Sequence, residues 1–135
     1  MRSFLENQIM GSQTVAIAGH TRPDGDCVGS CMGLYNYIRE NYPDISVDVY
    51  LEPISGSYKL VKGAEEIQQP GTEPKVYDLF ICLDTSQKDR LTQGAELYFD
   101  MAKATINVDH HVSNAQFAQV NHVVGEASSA SEVVY

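Results

Sequence analysis

The chain has no CxxC pair, few basic residues and no long apolar run, and each shortage removes a class of protein. Its three cysteines, Cys27, Cys31 and Cys82, form an odd set without a CxxC pair. That argues against a disulfide framework and against a thiolate zinc site. Cys27 and Cys31 stand one helical turn apart and read as small buried side chains. Lysine and arginine number 9 against 18 acidic residues, a formal charge of −9. Phosphate contacts supply most non-specific affinity for nucleic acid, so this balance speaks against a broad duplex-binding surface. It leaves room for a small phosphorylated substrate, because cations bound by clustered acids invert the local sign. No apolar run approaches the ~20 residues that cross a bilayer. The amino-terminal Met1-Arg2-Ser3-Phe4-Leu5 turns polar at Glu6, Asn7 and Gln8, unlike a signal peptide. The expectations are therefore a cytoplasmic address and no membrane partner. Internal repeats and low-complexity tracts are missing too.

What remains is an ordinary globular composition, 43% hydrophobic and 20% charged over 135 residues, enough for one domain at most. Phe4, Leu5 and Ile9 suggest a short leading helix. Thr14-Val15-Ala16-Ile17-Ala18-Gly19 is a compact apolar run suited to a buried parallel strand. Pro23 and Gly25 mark a loop. From Asp26 the apolar residues Val28, Cys31, Met32, Tyr35 and Ile38 recur at helical steps, until Pro43-Asp44 stops them. Strands are expected at Ser46–Leu51, Tyr77–Leu83, Ala104–Val108 and Ala118–Val124, and helices at Ala95–Ala102 and from Ser128 onward. Between Glu52 and Lys75 only Ala64–Ile67 has helical character. Alternation of this kind predicts an α/β domain with a mostly parallel sheet flanked by helices.

Three of the strands run into candidate metal ligands. His20 with Asp24 and Asp26 follows the first, Asp84 follows the Tyr77–Leu83 strand, and Asp109-His110-His111 follows the Ala104–Val108 strand. Sites in open parallel sheets form at the carboxyl ends of strands, so these groups meet if their strands are neighbours. Carboxylate with imidazole and no thiolate suits manganese, cobalt, iron or zinc better than calcium. The donors exceed what one tetrahedral zinc ion needs. A pair of ions about 3.5–4 Å apart would use them, activating a water and clamping phosphate oxygens. Each residue also has a plainer role. His20 could be a hydrogen-bonded strand-end histidine, Asp24 a turn residue, Asp26 a helix N-cap, Asp84 a loop acid, and His110-His111 a surface pair. Their joint placement after buried strands favours the metal reading. Gly29 and Ser30, in the first turn of the predicted helix, offer backbone amides to an anion or merely allow close packing.

Taken together, these residues are recognisable. His20-Thr21-Arg22-Pro23-Asp24-Gly25-Asp26-Cys27-Val28-Gly29-Ser30 resembles the first motif of the DHH-family phosphoesterases. Leu83-Asp84-Thr85-Ser86, with Asp89-Arg90 soon after, is similar to the second motif, and Asp109-His110-His111 to the signature that names the family. Glu126-Ala127-Ser128-Ser129-Ala130-Ser131-Glu132 is similar to the segment that opens the next helix. Arg22 and Gly25 bring the first motif closer to the nanoRNase and 3′-phosphoadenosine 5′-phosphate phosphatase branch than to the manganese pyrophosphatases.

The resemblance implies two divalent cations, manganese first and magnesium or cobalt after it. His20 and Asp24 would hold one, Asp84 would bridge, and Asp26 and His110 would hold the other. Asp109 would orient the neighbouring histidine and His111 would stabilise the phosphoryl group. Arg90 would meet substrate phosphate or pair with Asp89. The implied substrates are short single-stranded RNA or nucleotide phosphates. Inorganic pyrophosphate, a cyclic dinucleotide or a non-catalytic metal- or nucleotide-binding role are the alternatives. A homodimer is compatible with the resemblance. One further aspartate for the second metal, and the C-terminal DHH-associated substrate domain, have no counterpart in residues 1–135. These residues are therefore expected to form the N-terminal portion of the catalytic domain, incomplete at its C-terminus.

Overall fold

The computed structural model describes residues 4–54, 61–71, 75–109, 114 and 116–123. A short helix α1 (Phe4–Met10) leads into strand β1 (Thr14–Ala18), helix α2 (Gly25–Asn41) and strand β2 (Ser46–Tyr50). A 3₁₀ turn at Ala64–Glu66 precedes a two-residue strand β3 (Ile67–Gln68). Strand β4 (Leu79–Leu83), a second 3₁₀ turn at Lys88–Arg90, helix α3 (Ala95–Met101), and strands β5 (Thr105–Asp109) and β6 (Val120–Val123) complete the order. The expected helix from Ser128 lies outside the described residues.

All six strands pair in parallel in the order β3-β2-β1-β4-β5-β6. Apolar residues at both parities of β1 and β4 explain this arrangement, since such strands need cover on both faces. Val15 and Ile17 with Leu79, Ile81 and Leu83 face α1 and α2, joining Ile9, Val28, Cys31, Met32 and Ile38 in one core. Ala16, Ala18, Phe80 and Cys82 face the other way, against Tyr98 and Phe99 of α3. Tyr50, Tyr77 and Tyr98 pack together on that second face, Tyr50 and Tyr98 stacked with ring centres 5.2 Å apart.

The chain builds β1, β2 and β3 outward in one direction, then returns to lay β4, β5 and β6 on the other side of β1. The connections out of β1 and β4 therefore diverge to opposite sides of the sheet. That divergence opens a crevice at the carboxyl ends of these two strands.

Helix α2 begins one residue before the predicted position. Asp24 rather than Asp26 is its N-cap: the carboxylate Oδ1 accepts from the Cys27 amide at 2.9 Å, and the Val28 amide already reaches the Asp24 carbonyl. An extended Asp24 followed by Gly25 lets the cap form there, and Asp26 falls into the first turn. The two-residue β3 and the Lys88–Arg90 turn carry too few residues for any periodicity, and were not expected from the sequence.

Candidate metal centre

The crevice between β1 and β4 holds His20 and Asp84. The His20 imidazole Nε2 lies 3.3 Å from Asp84 Oδ2 and 3.8 Å from Asp24 Oδ1. Two carboxylates predicted as ligands from separate stretches of the chain thus converge on one ring nitrogen of a third candidate. The condition on which the prediction rested, adjacency of their strands, is met by the β1–β4 pairing. β5 is the next neighbour of β4, so Asp109 ends the adjacent strand, fully buried.

Local structure fixes each side chain. His20 Nδ1 sits 2.6 Å from the Thr21 carbonyl oxygen. A carbonyl only accepts, so Nδ1 carries the proton and Nε2 is the nitrogen turned toward the carboxylates. Metal-bound histidines use the same arrangement. The loop carrying His20 is tied to the segment after the second 3₁₀ turn. Thr21 donates to the Arg90 carbonyl, His20 bridges Leu91, and the Thr92 amide and hydroxyl both donate to the Gly19 carbonyl. Asp84 turns out of β4 in the left-handed region with φ of 57°. For a non-glycine residue this conformation costs on the order of 1 kcal/mol and clusters at functional sites.

The electrostatics report an excess of negative charge. The Asp84 carboxylate, and after it the Cys27 thiol, push the His20 imidazole up to about 11 despite its partial burial. Burial pushes the Asp84 carboxyl up, His20 pulls it down, and the charges of Asp26 and Asp24 push it up again. Both shifts favour keeping a proton between the two residues. A divalent cation would neutralise the same surplus, and the nitrogen and oxygen donors suit one.

Asp26 lies in the first turn of α2, half-buried and close enough for its charge to act on Asp84. Asp109 Oδ2 accepts from Asn114 Nδ2 at 2.9 Å, and the same amide reaches the Thr85 carbonyl at 3.2 Å. Asn114 therefore ties the end of β5 to the residue after Asp84. Its polar character alone gave no signal in the sequence. His110 and His111 lie outside the described residues. Arg90 is exposed and, among the described residues, forms no salt bridge with Asp89. The earlier helix start also moves the anion-facing amides. Gly25 and Asp26 occupy the open first turn, whereas Gly29 lies beyond it, and the buried Ser30 hydroxyl donates to the Cys27 carbonyl. Cys27, read from the sequence as a small buried side chain, stands beside His20 and Asp84.

Among the described residues no helix is long and apolar enough to cross a membrane. The model of the DHH family, N-terminal domain, matches residues 14–135. A relative from Streptococcus mutans, named probable bifunctional oligoribonuclease and PAP phosphatase NrnA, is 30% identical over 129 residues, 94% of this chain and 39% of the relative. The bifunctional oligoribonuclease and PAP phosphatase NrnA of Bacillus subtilis is 29% identical over 135 residues, 100% of this chain and 41% of the relative. The chain thus spans about two fifths of the length of these curated relatives. A crystal structure of an exopolyphosphatase-related protein from Bacteroides fragilis shares the fold, with a TM-score of 0.84 at 23% identity, covering 97% of this chain and 40% of that one. The family match over nearly the whole chain, on a sheet whose central crevice gathers His20, Asp24 and Asp84, makes this protein a member of the DHH family through its N-terminal domain.

Proposed function

We propose that the protein is a two-metal phosphoesterase that hydrolyses short oligoribonucleotides, nucleotide phosphates such as 3′-phosphoadenosine 5′-phosphate, or both. The observation that carries this is the convergence of Asp84 and Asp24 on His20 Nε2 at the switch point of the sheet. The names of the relatives, oligoribonuclease and PAP phosphatase, support the substrate class. Manganese is the favoured ion, with magnesium or cobalt next, on the mixed carboxylate and imidazole donors.

His20 and Asp24 would hold one ion, Asp26 and His110 a second, with Asp84 between them. Ions bound there would supply Lewis acidity toward water and toward the phosphoryl oxygens. The Thr21 carbonyl keeps the His20 ring oriented with Nε2 turned toward the Asp84 and Asp24 carboxylates. Asp109 orients its histidine neighbour, and Asn114 holds Asp109 in turn. His111 meets the phosphoryl oxygens as charge develops on them. Arg90, exposed on the segment hydrogen-bonded to the His20 loop, meets a substrate phosphate.

The test is release of mononucleotides from a short RNA, and of phosphate from 3′-phosphoadenosine 5′-phosphate, with and without manganese. Turnover that requires the metal is expected on at least one of them. Absence of turnover on both, with metal shown to be bound, would overturn the proposal.

A further inference from the structure

Cys27 is the member of the centre to which the phosphoesterase chemistry gives no task. Its Sγ, a ring nitrogen of His20 and a carboxylate oxygen of Asp84 all lie within 4.8 Å of one another. Two ligands sharing an ion at metal–nitrogen and metal–sulfur bond lengths of about 2.0–2.3 Å stand roughly 3–4 Å apart. Small side-chain rotations therefore close the trio on an ion.

The position of the sulfur is built into the fold. Asp24 fixes the Cys27 backbone by capping its amide, and the side chain leaves the first turn of α2 toward the end of β1. Gly19 makes room for it there, since a Cβ on that residue would fall 2.2 Å from the sulfur. The thiol is fully buried beneath the helix start, with His20 and Asp84 as its neighbours in the cluster and the Cys31 side chain, one turn further along α2, beside it. Cys82 belongs to the core on the opposite face of the sheet.

We propose that Cys27 supplies a sulfur ligand to the metal centre and shifts the preference of that position toward softer divalent ions, namely cobalt, zinc or ferrous iron, relative to the same site with oxygen and nitrogen donors alone. The inference rests on the metal-centre reading above and adds a donor to it. Thiolate selects softer ions while carboxylate and water suit magnesium and manganese, so one sulfur among oxygen and nitrogen donors shifts the order of preference. Coordination releases the thiol proton to solvent, and no electron transfer is involved.

Cobalt(II) titrated into the metal-free protein tests this without reference to activity. A bound cobalt ion gives visible ligand-field bands, and a sulfur ligand adds a near-ultraviolet thiolate-to-cobalt charge-transfer band. Both are expected in the unaltered protein and in Cys31→Ser. Cys27→Ser should keep the visible bands, lose the charge-transfer band, and lose at least about tenfold in zinc affinity relative to magnesium. Cys27→Ala, a smaller residue at the same site, provides a second variant should the serine disturb folding. Visible bands without a charge-transfer band in the unaltered protein, or a band that survives in both Cys27 variants, would remove Cys27 from the centre and leave the metal reading standing. No cobalt uptake at all would overturn both.

Discussion

Asp84 Oδ2 approaches His20 Nε2 to 3.3 Å from a neighbouring strand, and Asp84 holds a left-handed backbone to do so. Both residues are shifted toward keeping a proton between them. Asp84→Asn removes the buried charge and one oxygen donor. Metal affinity, measured by calorimetry, should fall by at least about a hundredfold. In metal-free buffer the His20 pKa, followed by NMR, should fall from about 11 toward its ordinary value, because the Asp84 carboxylate is the largest cause of its rise. Undiminished metal binding by the variant would refute Asp84 as a ligand.

Asp24 has two tasks that substitution can separate. Its carboxylate caps α2 and faces His20. Asp24→Asn keeps a capping oxygen but gives up the charge, so helix stability should survive while metal affinity drops. Asp24→Ala should lose both, with an added cost of about 1 kcal/mol in unfolding free energy. Equal unfolding curves for the two variants would show that the cap contributes nothing.

Asn114 joins the end of β5 to the end of β4 through one amide. Asn114→Ala deprives the fully buried Asp109 of this donor. A loss of roughly 1–3 kcal/mol in stability is expected. A fall in metal affinity of about 10–100-fold should accompany it, as for other groups that orient ligands. Circular dichroism in urea and metal titration measure the two effects independently.

Gly19→Ala probes the tight approach of α2 to β1. The new Cβ would meet Cys27 Sγ at 2.2 Å and Leu51 Cδ2 at 2.8 Å. Overpacking of this kind costs about 1–3 kcal/mol. Combining it with Cys27→Ala removes the nearer clash and should recover part of the loss, leaving the Leu51 contact. Strict additivity of the two substitutions in a double-mutant cycle would show that the sulfur is not the obstacle.

Acid stability should report on Asp48. Burial pushes its carboxyl up, but hydrogen bonds from Lys75, Tyr77 and Gln68 more than offset this, so the net shift is downward. A depressed carboxylate stabilises the fold at pH values above its ordinary 3.8, and that contribution fades as pH falls through the lower folded value. Asp48→Asn should therefore flatten the acid limb of a stability-versus-pH curve below about pH 4 while costing stability at neutral pH. An unchanged acid limb would contradict the network.

The parallel sheet was legible because β1 and β4 are apolar at both parities, and the meeting of His20, Asp24 and Asp84 because these side chains follow buried, neighbouring strands directly. What escaped prediction depends on tertiary placement. Cys27 belongs to the apolar stripe of its helix by periodicity, and only the position of β1 brings it to His20. Asn114 became informative once Asp109 and Thr85 were neighbours across two strands. The helix cap, offered as the plainer role of Asp26, falls on Asp24 instead, because Asp24-Gly25 can begin a helix as readily as a turn.

The return of the chain to β1 after β3 also has a consequence for assembly. Of the candidate ligands, His20 and Asp24 come from the outward half and Asp84 from the returning half, and the three meet only when β4 docks against β1, a pairing between distant parts of the chain. Such non-local closure is slow to form and is absent from partly folded states. Divalent ions should therefore recognise the finished sheet alone, adding RT ln(1 + [M]/Kd) to its stability and nothing to that of an isolated half. The ion would then act as a thermodynamic clasp on the last seam to close, and its binding would report that the two halves had found each other.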